Sequence, residues 1–256
     1  MSFEFAGLQT FVDDELKDGT VRLLEAGCGS ASNIRFGENV RITGIDISKK
    51  QLERNSVLDE RILGDIQSYP FKPESFDAIV CWDVLEHLPQ PKRALRQFAR
   101  AVKPGGIVIL KLPNVLSVKG LITKFFPHYF HVLAYRYFYG NKDAGKEDTA
   151  PFKTFLRFSI AADAIKRFCA GDGLQAVFYG TLDVSNVRWL QNKKVALYSY
   201  LTLKALSRYL SFGAIGDSDF VLILRKMERA ELNLAGIRQI AVPEAALSKG
   251  SSRANS

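Results

Sequence analysis

Cysteine is scarce: Cys28, Cys81 and Cys169 form an odd, widely spaced set with no Cys-x-x-Cys pair. Cys28 falls in a glycine turn and Cys81 at the end of an apolar run, so neither reads as half of a disulfide. A reducing, cytoplasmic setting fits. Histidine is as scarce, with His87, His128 and His131 only. No His/Asp/Glu cluster has ligand spacing, so no metal centre is expected. No run of about 18 uncharged apolar residues occurs, which excludes an ordinary spanning helix and leaves peripheral attachment to the inner membrane surface open. Glu4, Asp13, Asp14 and Glu15 stand where a basic segment and an apolar core would be, so no signal peptide is expected. There is no internal repeat.

What is present begins with size. At 256 residues and 47% apolar, the chain predicts one large α/β domain with an elaboration rather than two independent domains. A net charge of +8 gives a basic surface, or attraction to phospholipid, a phosphorylated glycan or nucleic acid. Four acids, Glu25, Asp46, Asp65 and Asp83, are spaced by 21, 19 and 18 positions. Each stands at or just past the end of a short apolar run. About 20 residues is what a strand, a turn and a crossover helix consume in a parallel sheet. Ligands bind outside the carboxyl ends of such strands, so the four carboxylates predict an acidic rim facing one polar or cationic ligand.

The pattern predicts a helix over 3–17, strands ending near Glu25, Asp46, Asp65 and Cys81, and a helix in the low thirties. Ser48 is expected to cap a helix running through Leu58. A helix over 91–102 starts at Pro91, Lys103-Pro104-Gly105-Gly106 makes a turn, and 107–110 is a buried strand. The rhythm then breaks into an aromatic-rich segment, Phe125-Phe126-Pro127-His128-Tyr129-Phe130 and Tyr135-Arg136-Tyr137-Phe138-Tyr139. Ser159 is expected to cap a helix over 160–170 that Gly171-Asp172-Gly173 ends. Strands follow at 174–180 and 218–225, with a helix near 187–210 between them and a frayed tail.

Several of these motifs carry chemistry. Gly27 and Gly29 permit positive φ and close approach of a ligand to the backbone, though two glycines alone also describe a tight turn. Asp46, about 20 residues on, is placed to accept from two ribose hydroxyls; a capping role fits less well because Ser48 already supplies a cap. Asp65 can accept from an exocyclic amine with Ile66 against a flat ring, or serve as a loop aspartate. From Phe76 to Leu88 a buried strand runs directly into Val84-Leu85-Glu86-His87-Leu88.

Taken together, the Glu25-to-Gly29 turn, Gly44-Ile45-Asp46, Gly64-Asp65-Ile66, Phe76-to-Leu88 and Lys103-to-Gly106 resemble the class I S-adenosylmethionine-dependent methyltransferases, the broad group that includes the ubiquinone and menaquinone methyltransferases. The likeness covers residues 21–112. Ala31 departs from it, standing where the family often has a third glycine. The resemblance implies a doubly wound, seven-stranded, mostly parallel Rossmann-like sheet whose last strand is antiparallel, with a helical aromatic insertion after strand five. It divides the single domain into a donor core (18–112), a substrate-recognition insertion (113–158), C-terminal strands and helices (159–228) and a flexible tail (229–256). It implies S-adenosylmethionine as cofactor, released as S-adenosylhomocysteine. Glu25 would approach the donor's amino group, Gly27 and Gly29 its methionine portion, Asp46 the ribose, Asp65 and Ile66 the adenine. Cys81 would offer backbone near the methionine tail. Asp83 lies one step past the donor, on the acceptor side or in a structural role. Orientation of the acceptor behind the methyl supplies much of the rate. His87 is the candidate base where the acceptor needs one; a local hydrogen-bonding role is the alternative.

The acceptor surface is expected in the insertion. Its aromatics can be the core of a helical cap, a dock on anionic membrane through Lys119, Lys124 and Arg136, or a platform for sugars. Pro151-to-Ser159 resembles, more loosely, a run in methyltransferases encoded with surface-polysaccharide genes. The implied reaction is methyl transfer to an oxygen or nitrogen of a small-molecule, sugar or lipid-linked glycan acceptor. A quinone- or lipid-type acceptor at the membrane, and a donor-binding protein without turnover, stay open. A nicotinamide-dependent oxidoreductase would also use a glycine turn and a later acid. However, Gly27-x-Gly29-x-x-Ser32 lacks its third glycine, and Asp65 and Asp83 have no role there. Nucleic acid is disfavoured: no Asn-Pro-Pro-aromatic signature follows strand four, and the positive charge reads as dispersed.

Overall fold

The structure is a computed structural model and describes residues 7–125, 154–183, 194–210 and 216–228, with Tyr129, Val132, Arg136, Gly145, Ser185, Gln191 and Asn192 individually. Most of the aromatic insertion, His128, His131 and the tail lie outside the described residues.

Seven strands form one sheet: β1 (Val21–Ala26), β2 (Val40–Asp46), β3 (Glu60–Leu63), β4 (Phe76–Trp82), β5 (Val102–Pro113), β6 (Leu174–Leu182) and β7 (Asp219–Lys226), in the order β3-β2-β1-β4-β5-β7-β6. Pairing is parallel from β3 through β5, and β7 runs antiparallel to both β5 and β6. The expected doubly wound α/β sheet is thus the one the chain forms. Period-two alternation divides the strand residues between two cores. Leu24, Ile79, Cys81, Val108 and Leu110 face one side, where α3 (Pro91–Ala101) packs with Leu95 and Phe98. Leu23, Ala78, Val80, Ile107 and Ile109 face the other, with Leu8 and Val12 of α1 (Leu8–Glu15) and Leu52 of α2 (Lys49–Arg54).

Several local expectations are corrected. No helix follows the glycine turn; residues 28–39 are turns and irregular backbone. Ser30, Ser32 and Asn33 compete for backbone and side-chain hydrogen bonds, and Ser32 bonds to Glu25 instead. The helix capped by Ser48 ends at Arg54 rather than Leu58. Arg61 donates to Leu52 O at 3.0 Å and Asn55 O at 2.6 Å, closing its last carbonyls. Lys103–Gly106 is a bulge inside β5, since Phe76 pairs with Val102 and Ala78 with Ile107. Ser159 does not cap. It lies in a 3₁₀ turn, Phe158–Ile160, which buries Ile160, and Ala161 precedes α5 (Ala162–Ala170). Two further helices are α4 (Val118–Phe125) and α6 (Lys194–Leu210).

Candidate functional site

The sheet order reverses at β1, whose neighbours are β2 and β4. A crevice opens at such a switch point, outside the carboxyl ends of the strands. The β1–β4 register ends at Glu25↔Val80, while Cys81 and Trp82 continue against Leu110 and Lys111 of β5. Past that point β4 pairs only with β5, and its exit loop returns to the turn after β1 at Val84.

That turn is fixed by left-handed glycines, with φ of 73° at Gly27 and 54° at Gly29. The N–H groups of Gly27 and Cys28 donate to Ile45 O at 2.8 and 3.2 Å. A Cβ on Gly27 would stand 2.5 Å from Val84 Cγ2, so the glycine keeps open the space where the two loops meet.

Glu25 is buried, and its Oε2 accepts from Ser32 Oγ at 2.5 Å. Burial pushes the carboxyl up to about 7, against the pull of the Ser32 hydrogen bond. An ammonium group placed here would offset that desolvation, so this donor set fits a cationic amine. The protonated folded form binds its proton more tightly than the unfolded chain. Stability is therefore expected to fall by about 3 kcal/mol as pH rises from about 4.5 to 7. Glu25→Gln removes that slope; urea unfolding at several pH values reads it, and a slope unchanged in the variant rules the assignment out.

Asp46 holds the turn directly: Oδ2 accepts from Gly29 N and Oδ1 from Ser48 N, each at 2.9 Å. Ser48 Oγ in turn accepts from Gln51 N at 3.3 Å, so both residues organise the start of α2. Each Asp46 oxygen keeps a second lone pair for a ligand hydroxyl. On the next strand, Gln67 donates to Asp65 from its backbone at 2.8 Å and its side chain at 3.1 Å. Ile66 departs from expectation. At 4% exposure its side chain belongs to the core beside Phe71 and offers no face to a planar ligand. The apolar side chain on this rim is Ile47, 77% exposed directly after Asp46. A large apolar residue immediately past a rim acid was the available signal for it.

Cys81 is buried, and burial, then the charges of Glu86 and Asp83, hold its thiol well above the usual range. Its side chain lies in the core beside β5. Asp83 adopts φ of 53° and is fixed by Lys111, whose Nζ donates to its two oxygens at 2.6 and 2.7 Å and to Asp219 Oδ1 at 3.0 Å. Lys119 Nζ also donates to Asp219, at 2.8 and 3.0 Å. The fourth rim acid is therefore part of an ion-pair network, the structural option of its two expected roles. Glu86 is buried beside it, and burial followed by the Asp83 charge pushes its carboxyl well up. His87 closes the 3₁₀ turn Leu85–His87, its N–H donating to Val84 O at 2.9 Å. It is half-buried at the β4 exit. A cleft of about 280 Å³ lies at the opposite, amino ends of the strands, where Asp77 pairs with Lys103 and Glu15 with Arg225; it is not this site.

Residues 24–110 match the family model described as a methyltransferase domain. A ubiquinone biosynthesis O-methyltransferase of Dechloromonas aromatica is 34% identical over 115 residues, 41% of this chain and 49% of the relative. A 27-O-demethylrifamycin SV methyltransferase of Amycolatopsis mediterranei is 35% identical over 101 residues, 35% of this chain and 37% of the relative. The chain thus spans half or less of the length of these two curated relatives. Among solved structures, an S-adenosylmethionine-dependent methyltransferase from Listeria monocytogenes superposes with a TM-score of 0.54 at 11% identity, covering 87% of this chain and 99% of that one. Sheet order and the antiparallel last strand are those of the Rossmann-like methyltransferase fold. Residues 24–110 thus match a methyltransferase domain and the sheet has the fold of the class I S-adenosylmethionine-dependent methyltransferases; S-adenosylmethionine is the cofactor of that class.

Proposed function

We propose that the chain transfers a methyl group from S-adenosylmethionine to an oxygen of a small-molecule acceptor. The observation that carries this reading is the row of carboxylates Glu25, Asp46 and Asp65 at or just past the carboxyl ends of the three adjacent strands β1, β2 and β3. In it Glu25 takes the donor ammonium, Asp46 the ribose hydroxyls and Asp65 the adenine amine. Ile47 covers the ring, Ile66 contributes backbone only, and Gly27, Gly29 and the Cys81 backbone line the methionine portion. When bound, the cofactor supplies a methyl activated by its sulfonium. The protein's part is to orient the acceptor and shed water from the crevice. His87 would take the proton where the acceptor is a weakly acidic hydroxyl. The oxygen preference draws on the O-methyltransferase relatives; nitrogen and glycan acceptors are the alternatives that a turnover panel decides.

A second reading, a quinone- or lipid-type acceptor met at a membrane surface, is favoured by Leu116 and Phe125, exposed beside Lys119 and Lys124. Among the described residues no helix is long and apolar enough to cross a membrane.

Calorimetry with S-adenosylmethionine and S-adenosylhomocysteine tests the donor site. The wild type is expected to bind both. Asp46→Ala is expected to bind about thirtyfold more weakly, the value of charge-assisted hydrogen bonds worth about 2 kcal/mol. Absence of wild-type binding overturns the proposal. Binding without turnover over quinols, phenols and sugars would leave a donor-binding protein.

A further inference from the structure

The helix α6 is amphipathic with its faces exchanged. Its polar side meets the protein: Lys204 Nζ donates to Asp183 Oδ2 at 2.5 Å and Asp217 Oδ1 at 2.9 Å, and Tyr200 Oη donates to Asp183 Oδ2 at 3.0 Å. Tyr200 and Lys204 are one turn apart and share that face. Val195, Tyr198, Leu206 and Tyr209 fall on the opposite side at helical spacing and stand in solvent, Tyr209 with 81% of its surface exposed. Contiguous exposed apolar surface of this kind marks a docking site.

Charge identifies the occupant. Residues 184–216 contain five basic residues and no carboxylate, and residues 114–142 contain four and none. Outside those two stretches the chain has 26 basic and 27 acidic residues. The net positive charge therefore sits in the segments that carry α4 and α6, bounded by Asp143, Asp183 and Asp217, although Lys119 and Lys204 within them are paired with Asp219 and with Asp183 and Asp217. The two helices pack on each other. They also share a location: Leu182 at the end of β6 pairs with Asp219 at the start of β7, and Asp219 pairs with Pro113 at the end of β5. The connection bearing α6 thus leaves the sheet at the same end as the crevice. A second copy would set one basic face against another, which like charge opposes. Beside the tyrosines, Val195 and Leu206 are aliphatic, which suits acyl chains better than bases.

We infer that α4 and α6 form a docking face for an anionic phospholipid surface. Apolar side chains of α6 enter the headgroup region, and Lys194, exposed at its start, meets the phosphates. This holds the carboxyl rim of the sheet against the bilayer. The inference goes beyond methyl transfer and does not depend on it.

The test is cosedimentation of the full chain with vesicles of phosphatidylcholine alone and of phosphatidylcholine with phosphatidylglycerol. The wild type is expected to partition into the anionic vesicles at least about tenfold better, an advantage that salt erodes. Leu206→Glu combined with Tyr209→Glu is expected to lose about tenfold, with its thermal unfolding midpoint unchanged. Lys194→Glu, at the exposed start of the helix, is a second variant that reports on charge alone and is expected to lose about fivefold. Equal partition into both vesicle types, or none, overturns the inference. So does a concentration-dependent dimer that the double variant abolishes while lipid has no effect, because the face then serves a second copy.

Discussion

Lys111→Met is expected to lower the free energy of unfolding by about 3 kcal/mol, the lower end of the cost of orphaning a buried ion pair. Lys111 is 3% exposed near the carboxyl end of β5 and Asp219 is 1% exposed at the start of β7. Methionine keeps the apolar stem and removes the charge. Asp219 then keeps Lys119, whose side chain is 36% exposed, as its one charged partner, with the Ser218 hydroxyl at 2.7 Å, while Asp83 can turn towards water. Replacing Asp219 by asparagine in the same chain should recover part of the loss, since no buried charge is left without its partner. The pH dependence follows in sign. Burial alone would raise the Asp219 carboxyl, but Lys111 and then Lys119 outweigh it and hold it below the usual range. The contribution is therefore present above the unfolded pKa and lost as pH falls through the folded one. Below pH about 4 the wild type should lose stability more steeply than the variant. Urea unfolding reads both effects; a single-variant cost under about 1 kcal/mol would show that the network holds nothing together.

Gly27→Ala should be nearly as costly, and it acts on the site as well. The left-handed φ costs a non-glycine residue about 1–2 kcal/mol. The added Cβ would also stand 2.5 and 2.7 Å from the two methyls of Val84, an overpacking cost of about 1–3 kcal/mol. Relief by shifting the loops moves the turn that positions Gly29 and Asp46, so S-adenosylhomocysteine affinity should drop at least about thirtyfold. Val84→Ala in the same chain removes the clash but not the backbone strain. It should recover the overpacking part, a coupling of about 1–2 kcal/mol in a double-mutant cycle. If the two substitutions are additive, the two loops do not meet as described.

What the sequence disclosed was what local order encodes. Apolar runs separated by about 20 residues located β1 to β4 within a residue or two, and Pro91 marked the start of α3. The row Glu25, Asp46, Asp65 was legible because each acid ends its own strand, a feature of order along the chain. Misread features depend on partners far away. Lys111 follows the buried run 107–110, and its meaning lies in Asp219, 108 positions on. Asp83 could not be assigned until that lysine was placed beside it. Ile66 and Ile47 both follow rim acids, and only Ile66 joins the core cluster that contains Phe71. Ser159 has the chemistry of a cap, yet burying Ile160 set the turn one step differently.

The sheet order also has a consequence for synthesis. Strand β6 bonds only to β7, and β7 bonds β6 to β5. When β6 leaves the ribosome, its place beside β5 must stay unfilled until residues 219–226 emerge and insert between the two. The half of the sheet from β3 to β5 can assemble earlier from neighbours already made, whereas the other half waits on its last strand. During that wait β5 and β6 each present an open edge, the interval in which a nascent chain is most prone to pair with another.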